Sequence, residues 1–221
     1  MVRIHSGEFM HEFISTELRQ YLVNMVPPRV SSMGEMEDYA RKIRFPIIGP
    51  AAGYFCYQQA RILGARRVFE LGSGYGYSTA WFALAVQENG GGIVDHVVWD
   101  EGLSMTARRY LSDLGFDDMI RYTVGEAVDS LRKAKGPFDL IFNDIDKVGY
   151  PDSLPVIESK LKPGGMLIAD NALLRGRIFD IEDQSANTEG VREFTKRLRD
   201  DPGWITTVVP IRDGLIVAVK N

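Results

Sequence analysis

Two stretches end an apolar run on acidic and amide side chains. FDLIFNDIDK, residues 138–147, places Asp144 at the end of such a run and follows it with Asp146 and Lys147, and GGMLIADN, residues 164–171, ends on Asp170 and Asn171. Both runs read as buried strands, and in an open α/β sheet ligands bind beyond the carboxyl ends of the strands. If these strands are neighbours, about 4.8 Å apart, two carboxylates and one amide converge on a point. Such an oxygen set suits a hard divalent cation such as Mg²⁺. Lys147 stands three residues after Asp144; its ammonium either neutralises the carboxylates or, beside a bound cation, takes a proton from a substrate. A structural reading stays open, in which the aspartates cap the following loops and Lys147 pairs with them at the surface. Asp146 is expected to form a local cap or surface pair.

VFELGSGYGYST, residues 68–79, sets Gly72, Gly74 and Gly76 between a strand pattern and a helix pattern. Glycines there let the backbone turn sharply and approach a ligand, and the helix N-terminus presents unpaired N–H groups. A dinucleotide fingerprint needs its third glycine at 77, where Tyr77 stands. That weakens a nicotinamide oxidoreductase reading. The pattern is E-x-G-x-G-x-G from Glu70, which resembles the first motif of class I S-adenosylmethionine-dependent methyltransferases. A glycine turn serving only strand-to-helix packing is the alternative.

The elements that must position these groups follow from periodicity. Short β-rich runs (RRVFEL, GIVDHVVW, IRYTV, FDLIFN, GMLIAD) alternate with helical patterns (STAWFALAVQE, LSMTARRYLSDLG, EAVDSLRKA, SLPVIESKL). Such alternation implies right-handed crossovers and a doubly wound parallel sheet covered on both faces. WITTVVPIRDGLIVAVK is two further β-rich runs around RDG, a hairpin signal. The expectation is one α/β domain over 1–221, with a mostly parallel seven-stranded sheet closed by an antiparallel hairpin. Residues 1–52, with Phe13, Leu18, Tyr21, Leu22 and Met25 at roughly helical spacing, read as an N-terminal helical appendage to a core over 53–221.

Composition narrows the class. The chain has 221 residues, 45% hydrophobic and 25% charged, a globular balance. A net charge of −4 argues against a dedicated nucleic-acid binder, which would carry a basic excess. The single cysteine, Cys56, excludes an internal disulfide and a thiolate metal cluster and reads as a small core residue. MVRIHSGEFMHEF has no signal-peptide apolar run and nothing approaches a membrane span, so a cytoplasmic location is expected. His5, His11 and His96 have no zinc-site spacing, and ARKIR, ARR and KRLR read as solvated helix faces.

Taken together, FPIIGPAAGYF, VFELGSGYGYS, FDLIFNDIDKVGYP, LKPGGMLIADNALLRGRI and PIRDGLIVAVK resemble the cation-dependent O-methyltransferases, the family of catechol and caffeoyl-CoA O-methyltransferases and their bacterial relatives. The resemblance covers most of the chain and is more specific than any one motif. It implies metal ligands at Asp144, Asp170 and Asn171 and a proton-accepting lysine at Lys147. It implies S-adenosylmethionine on Glu70, Gly72, Gly74, Gly76 and Ser78 with Tyr77 beside them, and adenine along Gly125, Glu126 and Ala127. Asp144 would then serve catalysis and cofactor as well as metal. The implied substrate is a small vicinal diol, with 5-hydroxyuridine of transfer RNA as an alternative acceptor and a non-catalytic cofactor-binding protein as another. Relatives also imply a homodimer. The chain departs from the family at Val98, where an acidic residue usually holds the cofactor ribose; Asp100 or Glu101 is the replacement expected from sequence. It departs modestly at Asn143, before the first Asp.

Overall fold

The computed structural model describes residues 14–221; the expectations that touch His5, His11 and Phe13 lie outside the described residues. Three helices open the described chain: α1 (Thr16–Asn24), capped by Ser15 Oγ accepting from the Leu18 N–H, α2 (Ser31–Ile43) and α3 (Gly49–Ile62). The boundary drawn at residue 53 falls inside α3. That helix packs closely on α4 (Tyr77–Glu88), because Gly53 has no side chain; a Cβ there would sit 2.2 Å from Trp81 Nε1.

The strands are β1 (Arg67–Leu71), β2 (Ile93–Val98), β3 (Ile120–Val124), β4 (Phe138–Asn143), β5 (Leu161–Ala169), β6 (Trp204–Val209) and β7 (Leu215–Lys220). They form one sheet in the order β3-β2-β1-β4-β5-β7-β6, parallel from β3 to β5 and antiparallel at β5–β7 and β7–β6. Between them run α5 (Glu101–Asp113), α6 (Ala127–Lys133), α7 (Tyr150–Lys160) and α8 (Ala186–Asp200). This is the doubly wound sheet with a terminal hairpin that the alternation of patterns implies. Successive strand residues serve opposite faces: Val68, Leu140 and Ile168 pack with α2–α5, whereas Phe69, Ile141 and Leu167 pack with α6–α8. Among the described residues no helix is long and apolar enough to cross a membrane.

Helix α8 has a positional role. Gly190 brings it against the backbone of the turn Lys147–Gly149, and Asn187 Oδ1 accepts from the Val148 N–H at 3.2 Å. A Cβ on Gly190 would lie 2.2 Å from the Lys147 carbonyl oxygen. Beneath the glycine loop, Glu70 is fully buried. The Thr79 hydroxyl donates to its Oε2 and lies 2.9 Å from His96 Nδ1. Thr79 thus links Glu70 and His96 in one buried hydrogen-bonded chain. Burial pushes His96 down to about 3 and Glu70 up to about 7.

Two outcomes follow from these contacts. Gly190→Ala should cost about 1–3 kcal/mol by overpacking against the Lys147 backbone. Gly34→Ala in α2, where a Cβ meets nothing within 4 Å, should be neutral or stabilising; equal denaturant midpoints for the two variants would contradict this account. The second concerns Glu70, whose folded-state pKa of about 7 lies above its ordinary value of 4.5. Its stabilising state is the protonated one, so its contribution is whole below pH 4.5 and is lost as pH rises toward 7. Glu70→Gln should therefore gain on the wild type across that window, by up to about 3 kcal/mol at ~1.4 kcal/mol per unit, in urea titrations from pH 4.5 to 8.

Candidate active site

Strands β4 and β5 run parallel in a register that pairs Asn143 with Ala169, so Asp144 and Asp170 are the first residues past the last paired positions. The Asp144 N–H donates to the Leu71 carbonyl at 2.9 Å and the Asp170 N–H to the Asn143 carbonyl at 3.1 Å. Tyr150, buried at the start of α7, secures both exits: its hydroxyl lies 2.9 Å from the Asn143 carbonyl and 3.0 Å from that of Asp170. Asn143 itself faces the core, its Nδ2 donating to Ser153 Oγ at 3.1 Å. The two carboxylates are thus fixed side by side by main-chain geometry, at the floor of a cleft of about 1620 Å³.

The polar partners are asymmetric. Lys147 Nζ donates to Asp144 Oδ1 at 2.7 Å and to the Ile145 carbonyl at 2.9 Å, and lies 4.9 Å from the centre of the Tyr150 ring. Arg212 Nη1 donates to Asp170 Oδ2 at 2.9 Å, while Asp170 Oδ1 is buried without a partner. Asn171, in the left-handed region at φ 58°, donates from Nδ2 to Asp213 Oδ2 at 2.9 Å, which leaves its Oδ1 as the accepting end. Burial and the Asp170 charge push Asp144 up to about 7 against the pull of Lys147. Burial likewise raises Asp170 despite Arg212.

An unsatisfied buried carboxylate oxygen is costly, and an oriented amide oxygen beside two carboxylates is a hard-cation donor set. The residues present therefore fit a divalent cation. Among the described residues no group of three or more His, Cys, Asp or Glu forms such a site, and the Asn171 amide is the neighbouring oxygen that would complete a set with the two carboxylates. Asp146 takes no part in these contacts and precedes the Lys147 turn.

The opposite wall of the cleft is the glycine loop with the ends of β2 and β3. Gly72, Gly74, Tyr77 and Ser78 line it, as do Gly125, Glu126 and Ala127. Gly72, at φ 86°, is required twice over: its backbone is left-handed, and a Cβ would sit 2.6 Å from the Asp144 carbonyl oxygen. The Tyr77 hydroxyl donates to Glu37 Oε1 at 2.8 Å, and Glu37 is held by Arg29 Nε at 2.6 Å. The residue standing at the third dinucleotide glycine therefore clasps the glycine loop to α2.

Four sequence-derived candidates stand elsewhere. Glu70 lies under the loop with Thr79 and His96, outside the cleft lining. Gly76 faces α5, where a Cβ would meet Leu111 and Ala107 at about 3 Å, so it serves packing. Asp100 caps α5, its Oδ1 accepting from the Leu103 N–H at 2.7 Å, and it too is outside the lining. Glu101 is exposed in the first turn of the same helix. The wall beside Val98 carries Trp99 instead, an indole 82% exposed on the cleft. Glu126 caps α6 through the Val128 and Asp129 N–H groups while lining the cleft. Sequence reasoning passed over Trp99, Tyr150, Arg212 and Asp213; an aromatic at a strand's carboxyl end was the available signal for Trp99, whereas Arg212 reaches Asp170 across 42 residues.

Comparison with known proteins agrees with this geometry. The profile of the O-methyltransferase family matches residues 34–221. A catechol O-methyltransferase of Niastella koreensis is 28% identical over 181 residues, covering 78% of this chain and 81% of that protein. An O-methyltransferase of Bacillus cereus, solved in complex with SAH, superposes with a TM-score of 0.84 at 28% identity, covering 93% of this chain and 98% of that one. A methyltransferase of Geobacter sulfurreducens gives 0.79 at 27% identity, covering 94% and 97%. A sheet in this order, a glycine loop facing a pair of strand-end carboxylates and a family match over most of the chain lead to one conclusion: the chain belongs to the O-methyltransferase family and is an S-adenosylmethionine-dependent O-methyltransferase.

Proposed function

We propose that the protein methylates one hydroxyl of a small vicinal diol, of the catechol type, with a divalent cation held by Asp144, Asp170 and Asn171. The observation that carries this reading is the set of acceptors at the ends of β4 and β5, with the buried, unpartnered Asp170 Oδ1 and the oriented Asn171 amide facing the cleft. Phe45, Ile47 and Leu173 supply apolar wall around that floor, which suits a flat ring carrying two adjacent oxygens. When bound, the cation supplies Lewis-acid stabilisation of the diol oxygens.

The chain's own groups account for the rest. The glycine loop receives the amino-acid end of S-adenosylmethionine, and Gly125 to Ala127 with Trp99 receive its nucleoside end. Asp144 and Asp170 hold negative charge beside the reacting oxygen, and Lys147 fixes Asp144 and offsets that charge. During transfer the substrate O–H bond breaks, its proton leaving through Lys147 or solvent. The O–CH₃ bond forms as the sulfonium C–S bond breaks, giving a neutral thioether. Opposite charges become neutral products, which a partly dry, apolar cleft favours. Holding both reactants in line supplies much of the acceleration, with effective molarities on the order of 10⁵ M or more in oriented systems.

Methyl transfer to a catechol should require Mg²⁺. Chelation, Asp144→Asn and Asp170→Asn should each lower kcat/KM by about 10² or more, with binding of S-adenosylhomocysteine to Asp170→Asn unchanged within about threefold; full activity after exhaustive chelation would defeat the metal assignment. Trp99→Ala should weaken S-adenosylhomocysteine binding by roughly tenfold, the scale of one lost stacking contact of ~1–3 kcal/mol. Titrating the ligand while following tryptophan fluorescence should show a change in the wild type that the variant lacks.

A further inference from the structure

Arg212 lies in the turn between β6 and β7, in the left-handed region at φ 56°. Glycine adopts that conformation freely and other residues do so at a cost. The turn is tied to the exit of β5. Asp213 accepts from the Asn171 side chain at 2.9 Å and from the Arg175 N–H at 2.5 Å, and the Ala172 N–H donates to the Gly214 carbonyl at 3.0 Å. Arg212 is therefore delivered to Asp170 by a fixed backbone, and its Nη1 takes Asp170 Oδ2 at 2.9 Å. Asp170 is only 2% exposed, whereas the Arg212 side chain is 33% exposed and lines the cleft.

The charges constrain what else can bind. Asp144, Asp170 and Asp213 face Lys147 and Arg212, so three negative charges meet two positive ones and the cluster carries one net negative charge. A divalent cation added to it would leave one net positive charge; without Arg212 the same cation would leave the cluster neutral. The guanidinium and the cation also draw on the same carboxylate. Like charges crowded into a poorly solvated floor repel strongly.

We propose that Arg212 is a built-in counter-cation of Asp170, which competes with the divalent cation and sets how weakly the site takes it. This rests on reading Asp144, Asp170 and Asn171 as the cation's ligands. The competition is for charge: Arg212 already neutralises Asp170 through Oδ2, so a cation arriving at the free Oδ1 meets a weakened carboxylate and a neighbouring positive charge.

The test measures Mn²⁺ binding directly, by electron paramagnetic resonance of the free ion and by calorimetry, without substrate. Arg212→Gly suits the left-handed backbone, and Arg212→Asn tolerates it while being too short to reach Asp170. Both variants should bind Mn²⁺ at least about tenfold more tightly than the wild type. Mn²⁺ should also raise their melting temperatures more than that of the wild type. Unchanged or weaker Mn²⁺ binding in both variants, with Asp170→Asn still abolishing it, would overturn the role of Arg212 and leave the ligand assignment standing. Binding to Asp144→Asn and Asp170→Asn as tight as to the wild type would remove the ligand assignment, and the competition with it.

Discussion

Two carboxylates forced together at the ends of adjacent parallel strands are the constraint around which the site is organised. The β4–β5 register sets their proximity, and Tyr150 secures it by bridging the two main chains with one hydroxyl. Burial and mutual repulsion both favour protonation, and Asp144 is accordingly raised to about 7. A fold tolerates such a pair only when positive charge or hydrogen-bond donors answer it. Lys147 answers Asp144 and Arg212 answers Asp170, yet one Asp170 oxygen is still without a partner. That open oxygen is the observation on which the proposed cation site rests.

This view separates the roles of Lys147. A carboxylate, a carbonyl and the face of a phenol ring surround its Nζ. Its hydrogen bond to Oδ1 aims Asp144 and sets a positive charge against the buried carboxylate pair. The contact of α8 with the Lys147 backbone through Gly190 then gains meaning, because it fixes the main chain from which the ammonium reaches its partners.

The sheet and the ends of its strands were legible because local pattern and global burial agree. VFEL, FDLIF and GMLIA are apolar runs bounded by turn residues, and the acids that end them lie where the chain leaves the core. The last turn of helix α8 was legible in KRLR, but its start was not, since Asn187, Thr188 and Gly190 suggest a loop and tertiary packing overrides them. Motif resemblance names Glu70 and Gly76 for the ligand, while their packing is set by the surrounding fold. Glu70 points beneath the loop to Thr79, and Gly76 makes room for α5. Asp100, the acid expected to hold a ribose, caps the helix that follows through the Leu103 N–H. Arg212 was invisible for a different reason. Its partner is remote in sequence, and RDG reads as an ordinary hairpin turn until the register of β7 against β5 brings it to Asp170.

The glycine loop and the acidic floor are not two sites that happen to face one another. Gly72 packs so closely on the Asp144 carbonyl that no side chain fits between them, and the Asp144 N–H is bonded to the carbonyl of Leu71, the residue before it. The backbone that would carry the methyl donor and the backbone that would hold the acceptor are therefore one continuous rigid contact across β1 and β4. Methyl transfer needs three atoms in line at close range, and small errors in that line are expensive. Side chains reach such precision only when packing locks them, whereas hydrogen-bonded main chain in the middle of a sheet holds it without further support. The sheet order that puts β4 between β1 and β5 is thus the reason that donor and acceptor can be aligned at all.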